Sequence, residues 1–130
     1  MIMEINEYRV FNSVMYKGDV VTIMDMVDDG YYLSNKVTCK VGDLSPVPLS
    51  KQNVREDEYC FFNKSSGLLH IIVDNVELMV DSSNGVCLVE HKEDKTKGVT
   101  YKGIFYLHQL QNLIHKHTGI KIFLQSNNQL

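Results

Sequence analysis

The sequence has no tryptophan, only two prolines, three cysteines and no long hydrophobic run. A membrane-spanning helix needs about 20 consecutive apolar residues, and no run approaches that length. The cysteines are odd in number and form no Cys-x-x-Cys pair, so we expect reduced thiols rather than a disulfide framework. The amino terminus also lacks the basic and apolar regions of a signal peptide. We therefore expect a cytoplasmic protein that does not enter a membrane.

The composition is that of an ordinary globular domain. Hydrophobic residues make up 44% and charged residues 22% of the 130 positions, which excludes collagen, a coiled coil and wholesale disorder. A chain of this length buries about two thirds of its unfolded surface on folding. It therefore needs neither a disulfide nor a metal to hold its core.

Charge is distributed unevenly along the chain. The net charge is −3, but residues 1–90 hold 7 basic and 14 acidic side chains, whereas residues 91–130 hold 6 lysines and 2 acidic side chains. Either the basic third faces an anionic partner, or it packs beside the acidic part and neutralises it. The negative sum argues against a dedicated binder of bulk nucleic acid.

Short strand-like runs fill the first 49 residues. They begin at Val10 and are separated by the turn signals Lys17-Gly18-Asp19 and Asp28-Asp29-Gly30. Two prolines, Pro46 and Pro48, then favour an extended exit segment. Four or five strands in about 40 residues are typical of a small SH3-like β-barrel, which we predict for residues 1–49.

Residues 50–130 predict an antiparallel sheet and one helix. Asp74-Asn75 and Ser82-Ser83-Asn84-Gly85 are turn signals between apolar runs. A charged loop is expected over His91–Gly98. Apolar side chains recur with helical period from about Tyr106 to His117, and Gly119 is placed to end the helix. The predicted fold class is α+β, with lobes 1–49 and 50–130 in one compact domain.

The helix carries a resemblance to a known family. The run Tyr-Leu-His-Gln-Leu-Gln-Asn-Leu at 106–113, followed by Thr118-Gly119, resembles the C-terminal signature of small uncharacterised bacterial proteins frequently encoded in prophages and conjugative elements. Residues 8–23 and 46–50 are similar to two further family blocks, although Phe11 stands where the family usually has glycine. The resemblance implies a two-part α+β fold and a mobile-element origin. It implies no activity and no catalytic residue.

The polar side chains of the helix allow two interpretations. His108, Gln111, Asn112 and His115 line one helical face, which either binds a partner or ties the helix to neighbouring strands through hydrogen bonds. The two histidines are seven residues apart, about 10 Å of helical rise. That is too far to share one metal ion without other ligands, so we predict no metal site.

Aromatic and basic side chains supply the remaining candidates. Tyr31 and Tyr32 are adjacent on a strand and must point to opposite faces, so one of them faces away from the core. Lys95 and Lys97 lie in the basic third. The predicted binding residues are His108, Gln111, Asn112, His115, Tyr31, Tyr32, Lys95 and Lys97.

The sequence favours a non-catalytic protein-binding module without a cofactor. The alternative is a nucleic-acid-associated module that uses the barrel face or the basic C-terminal third, and phosphate contacts would make its binding weaken steeply with salt. No catalytic constellation is apparent. A pocket that joins His108 to Cys60 or Cys87 would revive an enzymatic interpretation.

Overall fold

The computed structural model describes residues 7–50 and 53–122. The fold is α+β, with two antiparallel five-stranded sheets and one α-helix after them. This helix has 12 residues, fewer than the roughly 20 that a membrane crossing requires. No helix in the described ranges is long and apolar enough to span a membrane.

The first sheet contains the strands β1 to β5 in the order β4-β3-β2-β1-β5. A single 3-10 turn, Val41–Asp43, joins β4 to β5. The two edge strands do not pair with each other among the described residues, so the sheet is open and its closure into a barrel stays a prediction. The strands are β1 Ser13–Tyr16, β2 Asp19–Val27, β3 Gly30–Leu33, β4 Thr38–Cys39 and β5 Leu44–Pro46.

The first strand begins later than its sequence suggests. The run from Val10 predicts a strand, but Phe11 has a φ of 83°, which is the left-handed region and interrupts an extended backbone. The chain still contacts β2 there, because the Phe11 N–H donates to the Ile23 carbonyl at 2.8 Å and the Ile23 N–H donates to the Asn12 carbonyl at 2.9 Å. Regular pairing starts at Ser13.

The second sheet is a meander of five strands in the order β10-β9-β8-β7-β6. The turn predicted at Asp74-Asn75 is confirmed, since Val73 pairs with Val76 across it. The prediction of a loop over residues 91–98 is wrong, because β10 starts at Asp94. The pairing of β10 with β9 shifts in register between Asp94 and Val99, within the charged segment. The strands are β6 Cys60–Phe62, β7 Leu69–Val73, β8 Val76–Asp81, β9 Val86–His91 and β10 Asp94–Lys102.

Helix α1 spans Leu107–Thr118, close to its predicted bounds. At its start the Gln109 Oε1 atom accepts hydrogen bonds from the backbone N–H groups of Phe105 and Tyr106, at 2.8 and 3.1 Å. At its end Gly119 adopts a φ of 75°, the left-handed conformation that glycine takes without steric cost. A side chain therefore sets the start of the helix, and the backbone conformation of a glycine sets its end.

Two hydrophobic cores hold these layers together. The apolar stripe of α1 packs into the larger core with the buried side chains of the second sheet. Val47 and Leu49 belong to that core, while Met15 and Val20 pack against it. The larger core therefore extends across the predicted lobe boundary. The smaller core lies within the first sheet and consists of Val14, Val21, Ile23, Leu33, Cys39 and Leu44.

Candidate functional site

The helix side chain Gln111 is fully buried and hydrogen-bonded on both of its polar atoms. Its Oε1 atom accepts from the Ser13 N–H at 2.8 Å. Its Nε2 atom donates to the carbonyl oxygens of Phe11 and Ile122, both at 3.1 Å. Gln111 therefore joins the helix to the segment before β1 and to the chain after the helix.

Asn112 makes a second connection to the same segment. Its Oδ1 atom accepts from Asn12 Nδ2 at 3.0 Å, and its Nδ2 atom donates to the Glu7 carbonyl at 2.8 Å. The side chains of Asn12 and Asn112 are both 0% exposed. These contacts place the predicted binding residues Gln111 and Asn112 inside the protein, where they satisfy backbone groups.

His108 lies in an aromatic cluster with one of the predicted tyrosines. It is 4% exposed, and its ring is 4.8 Å from that of Tyr8 and 6.0 Å from that of Tyr106. Tyr8 in turn packs edge-on against Tyr31 at 6.3 Å. Burial raises the pKa of both Tyr8 and Tyr31, so their hydroxyl groups stay neutral.

The remaining helix and lysine candidates lie apart from this cluster. His115 is half-buried and its ring is 5.6 Å from that of Phe11. Lys95 and Lys97 belong to β10, the edge strand of the second sheet. The predicted binding residues therefore do not converge on one site.

A group of exposed apolar side chains lies instead at one end of the first sheet. Eight large hydrophobic side chains are exposed in the described parts of the chain, and five of them come from β2, β3 and the 3-10 turn. We call these five the hairpin patch. Its members, with their exposed fractions, are Met24 51%, Met26 54%, Val27 40%, Tyr32 37% and Val41 58%.

The strand register places the patch residues of β2 and β3 on both faces of the sheet. Pairing in β2 and β3 shifts between Ile23 and Asp25, as at a β-bulge. Beyond that shift Tyr32 pairs with Asp25, and Met26 pairs with Tyr31. Since neighbouring residues on a strand point to opposite faces, the hairpin presents apolar side chains on both sides. None of the five patch residues belongs to a hydrophobic core of the described chain.

A groove of about 310 Å³ lies beside the hairpin patch. Val27 and Thr38 line its walls, together with the charged residues Asp29, Lys40 and Asp43. Gly30 is required at this place, because a Cβ atom there would lie 1.9 Å from the Cys39 carbonyl oxygen. The close approach of β3 and β4 at Gly30 therefore shapes the groove.

Carboxylates surround the patch. Four exposed aspartates lie within or just after the sequence span of the patch, against two exposed lysines, Lys36 and Lys40. The electrostatic field at this end of the molecule is therefore negative. The four aspartates are Asp25, Asp28, Asp29 and Asp43.

The thiols of Cys60 and Cys87 offer little nucleophilic chemistry. Burial raises the pKa of both Cys60 and Cys87 to about 12, and the thiolate is the reactive form of cysteine. His108 contacts Tyr8 and Tyr106 as described above, and the three cavities described for this chain do not join it to either thiol. Among the described residues no group of three or more His, Cys, Asp or Glu side chains is arranged to hold a metal ion.

No protein-family model, curated protein or solved structure matches the chain. Its functional interpretation therefore depends on the surface chemistry of the chain itself.

Sequence reasoning identified Tyr32 but missed the other four members of the patch. Met24, Met26 and Val27 lie in a run of strand-forming residues that is indistinguishable from a core strand by composition. The available signal was the alternation of this run with aspartates, at Asp25 and Asp28. A buried strand does not carry unpaired carboxylates at such spacing.

Proposed function

We propose that this chain is a non-catalytic protein-binding module that docks on its partner through the hairpin patch. One observation supports this proposal above the others, namely that five of the eight exposed large apolar side chains lie at one end of one sheet. Clustered apolar side chains of this kind are typical of protein interaction sites. Methionine is also common on surfaces that adapt to a partner, because its side chain is flexible and polarisable.

The charges at this end favour a basic partner. The four exposed aspartates would repel phosphate groups and attract lysine and arginine side chains. Asp29 and Asp43 line the groove beside Val27, so a cationic side chain can enter the groove while apolar side chains cover the patch. The proposed partner is therefore a protein with a basic and apolar surface.

A small SH3-like barrel is the proposed finer description of the first sheet. The strand order, the long β2 that pairs with both β1 and β3, and the 3-10 turn between β4 and β5 support it. A mobile-element origin and a cytoplasmic location are part of the same proposal. The first is supported by the resemblance at residues 106–119, and the second by the three free cysteines, since structural disulfides are rare in the cytoplasm.

Capture from host lysate tests the proposal. Tagged wild-type protein and a Met26→Lys, Val41→Lys variant are compared, with and without nuclease, and bound proteins are quantified by mass spectrometry. We expect a stoichiometric partner that the wild type retains and the variant loses at least tenfold. A Tyr59→Lys variant is the matched control, because Tyr59 is 57% exposed but lies outside the patch. Equal capture by wild type and patch variant would contradict the proposal.

The nucleic-acid alternative has a distinct outcome in the same experiment. If proteins are captured only without nuclease, and the patch variant then captures them as the wild type does, binding depends on nucleic acid. The lysines at 92, 95, 97 and 102 would then be the residues to substitute.

A further inference from the structure

The second sheet has an outer face that no described core covers. Along β7, β8 and β9, buried residues alternate with partly buried ones. The buried set faces α1 and forms the larger core, so the alternate set points away from the helix. Five apolar residues belong to this outer set, and none of them is part of a hydrophobic core. They are Phe61, Ile72, Met79, Val86 and Leu88.

The strand register arranges these side chains in rows across the sheet. One row runs Phe61, His70, Met79, Leu88 and Thr100 across all five strands. The rings of Phe61 and His70 are stacked, with centroids 5.4 Å apart and planes 4° from parallel. This row is therefore a continuous band that is apolar over most of its length.

Carboxylates flank the band on both sides. The next row on one side contains Ile72, Glu77 and Glu90, and the next on the other contains Asp81, Val86 and Lys102. His70 Nδ1 lies 3.3 Å from Glu77 Oε2. Three carboxylates against one lysine give the face a negative edge, which favours a cationic partner.

The size of the outer face decides between a second copy of this chain and a single helix as its partner. Strands lie about 4.8 Å apart, and residues on one face of a strand lie about 6.6 Å apart because side chains alternate between faces, so the eleven outer positions cover roughly 350 Å². A stable dimer buries about 800 Å² on each partner, which this face alone does not supply. A helix of about 12 residues is about 18 Å long and 10 Å wide, and α1, with 12 residues, covers the inner face of the same sheet.

We propose that the outer face of the second sheet binds an amphipathic helix of a partner protein, with lysine or arginine flanking its apolar stripe. The sheet would then lie between two helices, its own α1 and that of the partner. This surface is separate from the hairpin patch, so the protein would join two basic partners.

A pair of synthetic peptides tests this assignment. One is a 14-residue helical peptide of leucine and lysine with its leucines on one face, and the other has glutamate in place of lysine. Each is titrated into methyl-labelled protein and followed by NMR. We expect the lysine peptide to shift the methyl signals of Ile72, Met79 and Leu88, and the glutamate peptide to bind at least tenfold more weakly.

Two variants locate the binding. The double variant Met79→Lys, Leu88→Lys should weaken binding of the lysine peptide at least tenfold. The double variant Glu77→Gln, Glu90→Gln should weaken its binding about threefold and make that binding less dependent on salt. Met24→Lys with Met26→Lys is the control, and it should leave the Met79 and Leu88 shifts unchanged even if the hairpin patch has no partner.

Several results would overturn the proposal. They are shifts confined to the hairpin patch, equal affinity for both peptides, or an outer-face variant that binds as the wild type does. A wild-type dimer in sedimentation that the Met79→Lys, Leu88→Lys variant converts to monomer would assign the face to a second copy instead.

Discussion

Helix α1 and the hairpin patch reverse the usual relation between polarity and burial. The helix buries four polar side chains, of which Gln111 and Asn112 are 0% exposed, while the hairpin exposes Met26 at 54% and Val41 at 58%. Both regions contradict the rule that polar side chains lie outside and apolar ones inside. In each region the neighbouring groups explain the reversal. Buried backbone groups lie within hydrogen-bonding distance of the helix amides, whereas no described core includes the apolar side chains of the patch.

The buried amides lie where the chain enters β1. The left-handed Phe11 interrupts β1, so nearby backbone groups need hydrogen-bond acceptors and donors from elsewhere. The amide of Gln111 supplies both, because it accepts from one backbone group and donates to two others. The five side chains of the hairpin patch, in contrast, belong to neither core of the described residues. Burial of the patch side chains would therefore require contacts outside both cores.

The largest expected effect comes from removing the buried amide at Gln111. Gln111→Leu keeps most of the volume but removes the hydrogen bonds that Gln111 makes to the Ser13 N–H and to the Phe11 and Ile122 carbonyls. Because each buried unsatisfied group costs about 1–3 kcal/mol, the free energy of unfolding should fall by about 3 kcal/mol in urea denaturation. The control is Lys116→Leu, at an exposed position of the same helix. A loss below about 1 kcal/mol would show that the amide contacts contribute little.

Substitutions at Phe11 test its left-handed backbone conformation, whose carbonyl accepts a hydrogen bond from Gln111. Phe11 is 2% exposed, so Phe11→Ala and Phe11→Gly should both lower stability, by about 3 kcal/mol for alanine. At most positions glycine is less stable than alanine, but a left-handed φ reverses that order. We expect Phe11→Gly to be about 1 kcal/mol more stable than Phe11→Ala in the same assay. Alanine equal to or better than glycine would contradict the left-handed conformation.

A smaller effect is expected from pH at the end of the helix. Burial lowers the pKa of His117 below its usual 6.5, with His91 and Lys116 adding repulsion. The unfolded chain therefore takes up a proton at higher pH than the folded chain does, so stability is lost as pH falls through 6.5 and below.

His117→Gln removes this titration while keeping a group that can bond to the Tyr101 hydroxyl, which lies 2.8 Å from His117 Nε2. Between pH 7.5 and 5 the free energy of unfolding should fall more in the wild type than in the variant. Parallel profiles would show that His117 does not contribute to the pH dependence.

The smallest effect on stability is expected at the hairpin patch. Met24→Ser with Met26→Ser replaces two half-exposed side chains that belong to no described core. The free energy of unfolding should change by less than about 0.5 kcal/mol for each substitution, as measured by urea denaturation. A loss of about 2 kcal/mol or more in total would mean that the patch is packed within the protein, and the comparison with the helix would fail.

Local signals in the sequence predicted much of the fold. The periodic stripe and Gly119 located α1, and Asp74-Asn75 located a hairpin, because these features act through neighbouring residues. The left-handed Phe11 was not predictable from its own residue type, since bulky side chains rarely adopt positive φ. It is stabilised by hydrogen bonds to residues that are distant in sequence.

The candidate site was less predictable because it also depends on residues that are distant in sequence. Tyr32 was identified because adjacent aromatics on a strand cannot share a face. Gln111 and Asn112 were open to two interpretations, since a polar helical face has the same sequence whether it meets water or backbone groups. Met24 and Met26 resembled core residues, and only the position of the hairpin beyond both cores exposes them.

Site-specific photocrosslinking tests the central claim, docking of a protein on the hairpin patch, most directly. A photoreactive phenylalanine is placed at Met26 or, as the control, at Tyr59, positions that are 54% and 57% exposed. Both proteins are irradiated in nuclease-treated host lysate. We predict one dominant crosslinked protein from position 26, weakened by high salt, and none from position 59. No crosslink at position 26, or the same crosslinks from both positions, would contradict docking through the patch.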